Sequence, residues 1–376
     1  MAAPHVRRSL AATLAIALLL VSCTSESDRV ASESGSAAAQ PGLQPEPAEI
    51  RRHFRPPTAN HALFEPEAGD RYFVGTVGRS WTSGTFGCVR SEGYQLHEGL
   101  DIRPLERDSR GEALDPILAA ADGIVAYVNP KAALSNYGIY VVLRHEIQGW
   151  KLFTLYAHLA RVGDRITPGL QVQCGEPLGI MGRTANTRSG ISKDRAHLHF
   201  EINLLVNDRF ADWHRKRFPG QRNDHGIWNG RNMLGIDPLP LLLQQHHDPS
   251  LLNLSALIRQ QPVLCRTLVR ATDFDWLHRY PATVEPRSPK NSAEIVAHEI
   301  HHDFVGIPIR IIPRTADEAA GRARIQLLEV DARTARAYPC QKLVRQRDGR
   351  WQFTAEGERF LDRKSTRLNS SHRIRS

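Results

Sequence analysis

This 376-residue chain has no basic run interleaved with aromatic residues, the sequence footprint of nucleic-acid binding. Its formal charge of +9 does not stand in for one. Arg7 and Arg8 lie in a segment expected to be removed, and Arg363, Lys364, Arg367, Arg373 and Arg375 fall in the last fourteen residues. The rest of the chain is nearly neutral, so no nucleic-acid partner is expected. The apolar run Leu10 to Val21 spans only twelve residues, too few for a stable membrane-crossing helix. Between residues 94 and 206 nothing has the caps and three-to-four spacing of a long amphipathic helix. Cysteine is sparse, at five residues. The chain is long enough for a full core and two folded units, so it needs neither disulfides nor a metal merely to fold.

What is present begins with an export signal: His5, Arg7 and Arg8, then the apolar run. That run ends in Leu20-Val21-Ser22-Cys23, which resembles the lipobox of bacterial lipoproteins. The resemblance implies cleavage before Cys23, acylation of that residue and attachment to a membrane. Thr24 stands where inner-membrane lipoproteins carry Asp, so the implied location is periplasmic, anchored to the outer membrane of a Gram-negative cell. In such an oxidising compartment Cys88, Cys174, Cys265 and Cys340 form an even set. Their pairing is open. Cys265 with Cys340, both in the C-terminal region, is one arrangement, and Cys88 with Cys174 would then join two parts of the preceding domain.

Residues 23–49 are rich in Ser, Ala, Glu, Gly and Pro and read as a flexible tether following the 1–22 signal. Further on, the texture changes to short apolar runs of strand length, Ile124 to Val128, Tyr140 to Leu143, Leu152 to Tyr156 and His197 to Leu205, punctuated by glycines. The fold class expected is mainly β: an antiparallel β-sheet domain over residues 50–210, with its core at 84–206. A connecting segment is expected at 211–250. A smaller α+β domain of unknown role follows at 251–362, with a helix at Ser292 to Asp303 and strands at Gly306 to Ile312 and Trp351 to Phe353. Residues 363–376 form a polar tail without a core-forming pattern, expected to be disordered or foreign to the natural gene product.

The chemistry starts at His97-Glu98-Gly99-Leu100-Asp101, where an imidazole and a carboxylate four residues apart can meet at one metal if the turn at Gly99 lets both face inward. Alone, this spacing is common. His197-Leu198-His199-Phe200-Glu201 adds an alternating strand in which the two histidines share a face and Leu198 and Phe200 pack into the other. His158, in Leu155-Tyr156-Ala157-His158-Leu159, ends another apolar run.

In this order the residues resemble the lysostaphin-type zinc metallopeptidases, also called duplicated hybrid motif peptidases, over about residues 84–206. The resemblance implies Zn2+ as cofactor, His97, Asp101 and His199 as its ligands, and His158 and His197 as the catalytic pair. It further implies hydrolysis of peptide cross-links in bacterial peptidoglycan, the D-Ala–diaminopimelate type foremost, with cell-wall proteins as further partners. The rival reading is a non-catalytic cell-wall-binding module that activates a separate amidase. Two segments depart from the family pattern and are expected to border the groove: Leu105 to Asp115 and the long charged loop 185–196.

Two other motifs carry less weight. Gly179-x-x-Gly182 lacks the lysine and the helix of a phosphate-binding loop and reads as a tight β turn. His298-Glu299-Ile300-His301-His302 satisfies His-Glu-x-x-His and, on a helix, would set His298 and His302 on one face. Seventeen histidines make such a match unsurprising, and no third ligand follows at a familiar spacing.

Overall fold

The structure is a computed structural model that describes residues 53–365 apart from 188–189, 287–293 and 320–322. The export signal, Cys23 and the tether lie outside the described residues, as do positions 366–376. Among the described residues no helix is long and apolar enough to cross a membrane.

The first strands form a two-stranded ribbon, β1 (Gly87–Arg90) and β2 (Gln95–His97), followed by the short β3 (Leu100–Ile102). The main sheet is built from β4 (Gly123–Asn129), β5 (Ile139–Ile147), β6 (Trp150–Leu159), β7 (Leu198–Leu205) and β8 (Met233–Ile236). Its order is β8-β7-β6-β5-β4, closed by the two-residue strand Gln171–Val172, with β3 pairing β7 beyond the end of β8. Every pairing is antiparallel. This is the antiparallel β-sheet domain expected from the strand-length runs.

Both faces of the central strands are covered. Val141 and Leu143 of β5 point into the large core, while Tyr140 and Val142 pack on the opposite face with Phe153, Leu155 and Met233. That is why β5 and β6 read as nearly continuous apolar runs rather than strict alternation. β7 alternates: Leu198, Phe200, Ile202 and Leu204 enter the core. His199, Glu201 and Asn203 are therefore displayed together on the other face.

Residues 211–250, expected as a connecting segment, supply part of the main sheet: β8 pairs Ile236 with Ile202 and Met233 with Leu205. Helix α1 (Phe210–Arg217) precedes it and α2 (Pro238–His247) follows. Asp237 caps α2 through a 3.0 Å bond from Leu239 N–H, and Pro238 occupies the first turn, where a missing N–H costs nothing. Gln245 on α2 accepts hydrogen bonds from the backbone of His53 and Phe54, tying the start of the described chain to the sheet.

The C-terminal region carries a second antiparallel sheet of order β11-β10-β9-β12, from β9 (Cys265–Val269), β10 (Ile295–His302), β11 (Pro308–Thr315) and β12 (Ile325–Val330). One apolar cluster runs continuously from Leu100, Tyr156 and Phe200 to Trp276, Ile300 and Ile311, so the two sheets share a core. Tyr280 makes the seam specific: its hydroxyl accepts from Leu205 N–H at 2.8 Å and donates to the Lys151 carbonyl at 3.1 Å.

Three expectations are corrected here. Where a helix is expected at Ser292 to Asp303, residues Ile295–His302 form strand β10; Ile295, Val296 and Ile300 are β-branched, and period-2 packing against β9 and β11 outweighs the helical spacing of the histidines. The tail read from Arg363 begins later, because α3 (Ala355–Lys364) runs through Arg363 and Lys364, both buried. The disulfide joins Cys88 to Cys340, not Cys340 to Cys265. Cys265 is a buried thiol, and the Cys174 thiol donates to the Ala120 carbonyl at 3.4 Å.

Candidate metal centre

Three strands bring the site together. His97 ends β2, opposite Gly87 of β1, while Asp101 in β3 stands directly opposite His199 in β7. The chain turns from β2 to β3 through Gly99, where a side chain is excluded: a Cβ there would sit 2.3 Å from the Phe200 carbonyl oxygen. The inward turn on which the His97–Asp101 spacing depended therefore exists because position 99 has no side chain.

The donor atoms form a nearly equilateral triangle. His97 Nε2 lies 3.1 Å from His199 Nδ1 and 3.1 Å from Asp101 Oδ1, and His199 Nδ1 lies 2.9 Å from Asp101 Oδ1. All three residues are buried, and theirs is the one cluster of potential metal donors found among the described residues. Tetrahedral ligation at zinc distances sets donors roughly 3.3 Å apart, so this triangle admits the ion with a spread of tenths of an ångström. Two imidazoles and a carboxylate with an open fourth position are the donor set of catalytic zinc.

Each imidazole has its far nitrogen tied down. His97 Nδ1 donates to the Thr85 carbonyl at 2.8 Å, His158 Nδ1 to Thr184 at 2.8 Å, and His197 Nδ1 to Arg195 at 2.6 Å. His199 is held at Nε2 instead, 2.7 Å from Glu201 Oε1. Because each of those acceptors requires an N–H, the unprotonated nitrogens are left facing the site. His197 Nε2 is 3.5 Å from Asp101 Oδ1, and the rings of His158 and His197 are 4.9 Å apart.

Glu201 is the residue whose role the sequence reading missed. It also accepts from the Tyr137 hydroxyl at 2.8 Å and from Asn203 Nδ2 at 2.7 Å, and it is 1% exposed. The signal was available, since residue 201 falls on the same face of β7 as His197 and His199 by the alternation used for those two. Arg90, which binds the second oxygen of Asp101 from β1, had no local signal: only the ribbon brings it near.

The electrostatics favour a cation at the centre of the triangle. Burial opposes ionisation of Asp101, but His97, His197 and His199 hold its carboxyl well below the ordinary range. Burial also disfavours charge on His199, yet Asp101 and Glu201 push its pKa up to about 10. Burial, with His197 and His199 as neighbours, keeps His158 well below its usual value. His197 is lowered as well, chiefly by burial. Neutral imidazoles beside the triangle are competent to accept a proton.

His158 has a backbone φ of +63°, the left-handed region that non-glycine residues rarely enter. The conformation is held by its N–H bond to the Tyr137 carbonyl at 2.9 Å and by the ring's bond to Thr184. Gly138 lets Thr184 come close: a Cβ there would lie 2.1 Å from the Thr184 oxygen.

The triangle opens into a groove. Of the two segments expected to border it, loop 185–196 does, through Ala185, Asn186, Thr187 and Ile191. Segment 105–115, among described residues, lines none of it and braces that loop from outside: Arg107 donates to the Lys193 carbonyl at 2.6 Å, and Glu112 binds Arg183 through two bonds of 2.8 Å. The His-Glu-x-x-His motif lies apart, on a strand. His298 bonds the Ala271 carbonyl at 2.8 Å, His302 meets Thr267 Oγ1 at 3.0 Å, and Glu299 is held by Arg314 and Arg266 on the other face.

Residues 95–212 match peptidase family M23. Over that segment the chain is similar to the family. The M23 match spans all five histidine and aspartate positions of the site. Among solved structures the chain is similar to a putative glycyl-glycine endopeptidase lytM from Ruminococcus gnavus, at 26% identity over 29% of this chain and 39% of that one, TM-score 0.22. It is similar to a zinc-containing peptidase from Vibrio cholerae, at 26% identity over 35% and 36%, TM-score 0.23. Lysostaphin's catalytic domain, from Staphylococcus simulans, aligns at 17% identity over 46% of this chain and 94% of that one, TM-score 0.27. No functionally curated protein matches the chain.

Proposed function

We propose that this protein is a zinc-dependent endopeptidase that hydrolyses peptide cross-links of bacterial peptidoglycan, and that the bond cut is of the D-Ala–diaminopimelate type. The observation that carries the reading is the buried His97–Asp101–His199 triangle with two neutral imidazoles beside it, inside an M23 domain. His97, Asp101 and His199 would hold the ion, which when bound supplies an acidified water and a polarised carbonyl. Arg90 steadies Asp101, and Glu201 with Tyr137 steadies His199. His158 and His197, each held at Nδ1, present Nε2 to accept the proton of the attacking water and to return it to the leaving amine. The imidazole that has taken the proton carries an Nε2–H that can donate to the developing oxyanion.

We propose that the protein works in the periplasm, held through acylated Cys23 to the outer membrane; the Leu20–Cys23 sequence supports this. The test of the activity is mass spectrometry of purified peptidoglycan after incubation with the protein, with and without a chelator. New free diaminopimelate amines, lost on chelation, are expected; release of intact stem peptides by cleavage next to muramic acid would mean an amidase instead.

A further inference from the structure

The groove that holds the metal triangle does not end with the M23 domain. Its lining continues onto Phe304, Val305, Lys342 and Arg359, all from the C-terminal region beyond residue 251. That region is fastened beside the triangle. Cys340 is disulfide-bonded to Cys88, which pairs with Leu96 in the ribbon, one residue before His97. A second attachment is aromatic: Phe86 meets Phe304 edge to face at 6.3 Å, and Phe304 stacks on Tyr338 at 4.0 Å. With the shared core behind, these contacts make the C-terminal region a fixed side of the groove, not a tethered module.

The groove lining carries an excess of positive charge. Arg90, Arg195, Arg231, Lys342, Arg359 and Arg363 face Glu98, Glu356 and the ligand Asp101 in its lining. Lys342 is 59% exposed and lies 3.6 Å from Glu356, itself 56% exposed, a contact weak enough for a ligand carboxylate to displace. A concave site lined by an excess of one sign of charge concentrates the opposite sign.

Resting on the endopeptidase reading, we propose that the C-terminal region is the second wall of the active-site groove, and that Lys342 and Arg359 on it bind the carboxylates flanking the scissile bond of an acidic peptide. They are specificity-determining residues, remote from the reacting atoms. This gives the C-terminal region a role: it selects acidic over neutral peptides, and the disulfide fixes the distance between the selecting cations and the metal.

The test uses the full chain, loaded with zinc and carrying His158→Ala to leave peptides uncut, and two synthetic cross-linked peptides that differ only in whether the carboxyls flanking the bond are free or amidated. Calorimetry should give at least tenfold tighter binding of the free acid. With Lys342→Gln and Arg359→Gln added, both exposed positions, the two peptides should bind within twofold of each other. Equal binding of the two peptides before those substitutions, or a tenfold preference that survives them, overturns the inference. Cleavage by the chain with His158 intact is scored separately: if neither peptide is cut while the preference behaves as described, the endopeptidase reading fails and the acidic wall stands.

Discussion

Glu201 Oε1 accepts the His199 Nε2–H bond at 2.7 Å, so the face that His199 turns to the metal is set by a carboxylate two residues along the same strand. Glu201→Ala should weaken zinc binding about 10- to 100-fold, the usual cost of removing the partner that orients a ligating histidine. Glu201→Gln, which keeps an acceptor in place, should lose less. Competition with a chelating fluorophore measures both, and unchanged affinity in Glu201→Ala would remove Glu201 from the account.

His158 holds a left-handed backbone that glycine adopts without cost. His158→Gly should therefore be more stable than His158→Ala by about 1 kcal/mol, although both lose peptidase activity. Urea unfolding of the two variants gives the difference. An alanine variant as stable as the glycine one would mean that the strand relaxes once the imidazole is gone.

His145 gives the fold an acid limit. It is 1% exposed, its Nδ1 donates to the Asp122 carbonyl at 2.7 Å, and burial lowers its pKa from 6.5 to about 4 against the pull of Asp122. The unfolded chain therefore binds this proton more readily than the folded one. The contribution is complete above pH 6.5 and is lost as pH falls toward 4, on the order of 3 kcal/mol in all. The stability difference between the parent and His145→Gln, followed by urea unfolding from pH 7 to 4, should shrink across that window; a constant difference would contradict it.

The Cys88–Cys340 bond spans 252 residues of sequence. Replacing both with serine should lower stability by about 2–5 kcal/mol while zinc content stays at one per chain, because the triangle does not include either cysteine. Calorimetric melting and metal analysis of the same sample decide this. Loss of zinc with the disulfide would show that the ribbon carrying His97 depends on it.

Much of this was legible in the sequence, for identifiable reasons. The strand-length runs around Val125, Val142, Leu155 and Phe200 are too apolar and too glycine-bounded to be anything but sheet, and His197 and His199 share a face by simple alternation. Residues 292–303 misled because His298, Glu299 and His302 have helical spacing, whereas pairing of β10 with two neighbours decides their conformation. The disulfide could not be read, since Cys88 and Cys340 are brought together only by the docking of the second sheet. Arg90 and the groove's second wall were hidden for the same reason: they belong to contacts between distant segments, not to any local pattern.

The central claim is that His97, Asp101 and His199 bind the ion and the His298–His302 strand does not. Metal analysis of the purified protein beside His199→Ala and His302→Ala tests it most directly. One zinc per chain in the parent and in His302→Ala, with none in His199→Ala, is the result expected. Zinc retained by His199→Ala and lost from His302→Ala would contradict it.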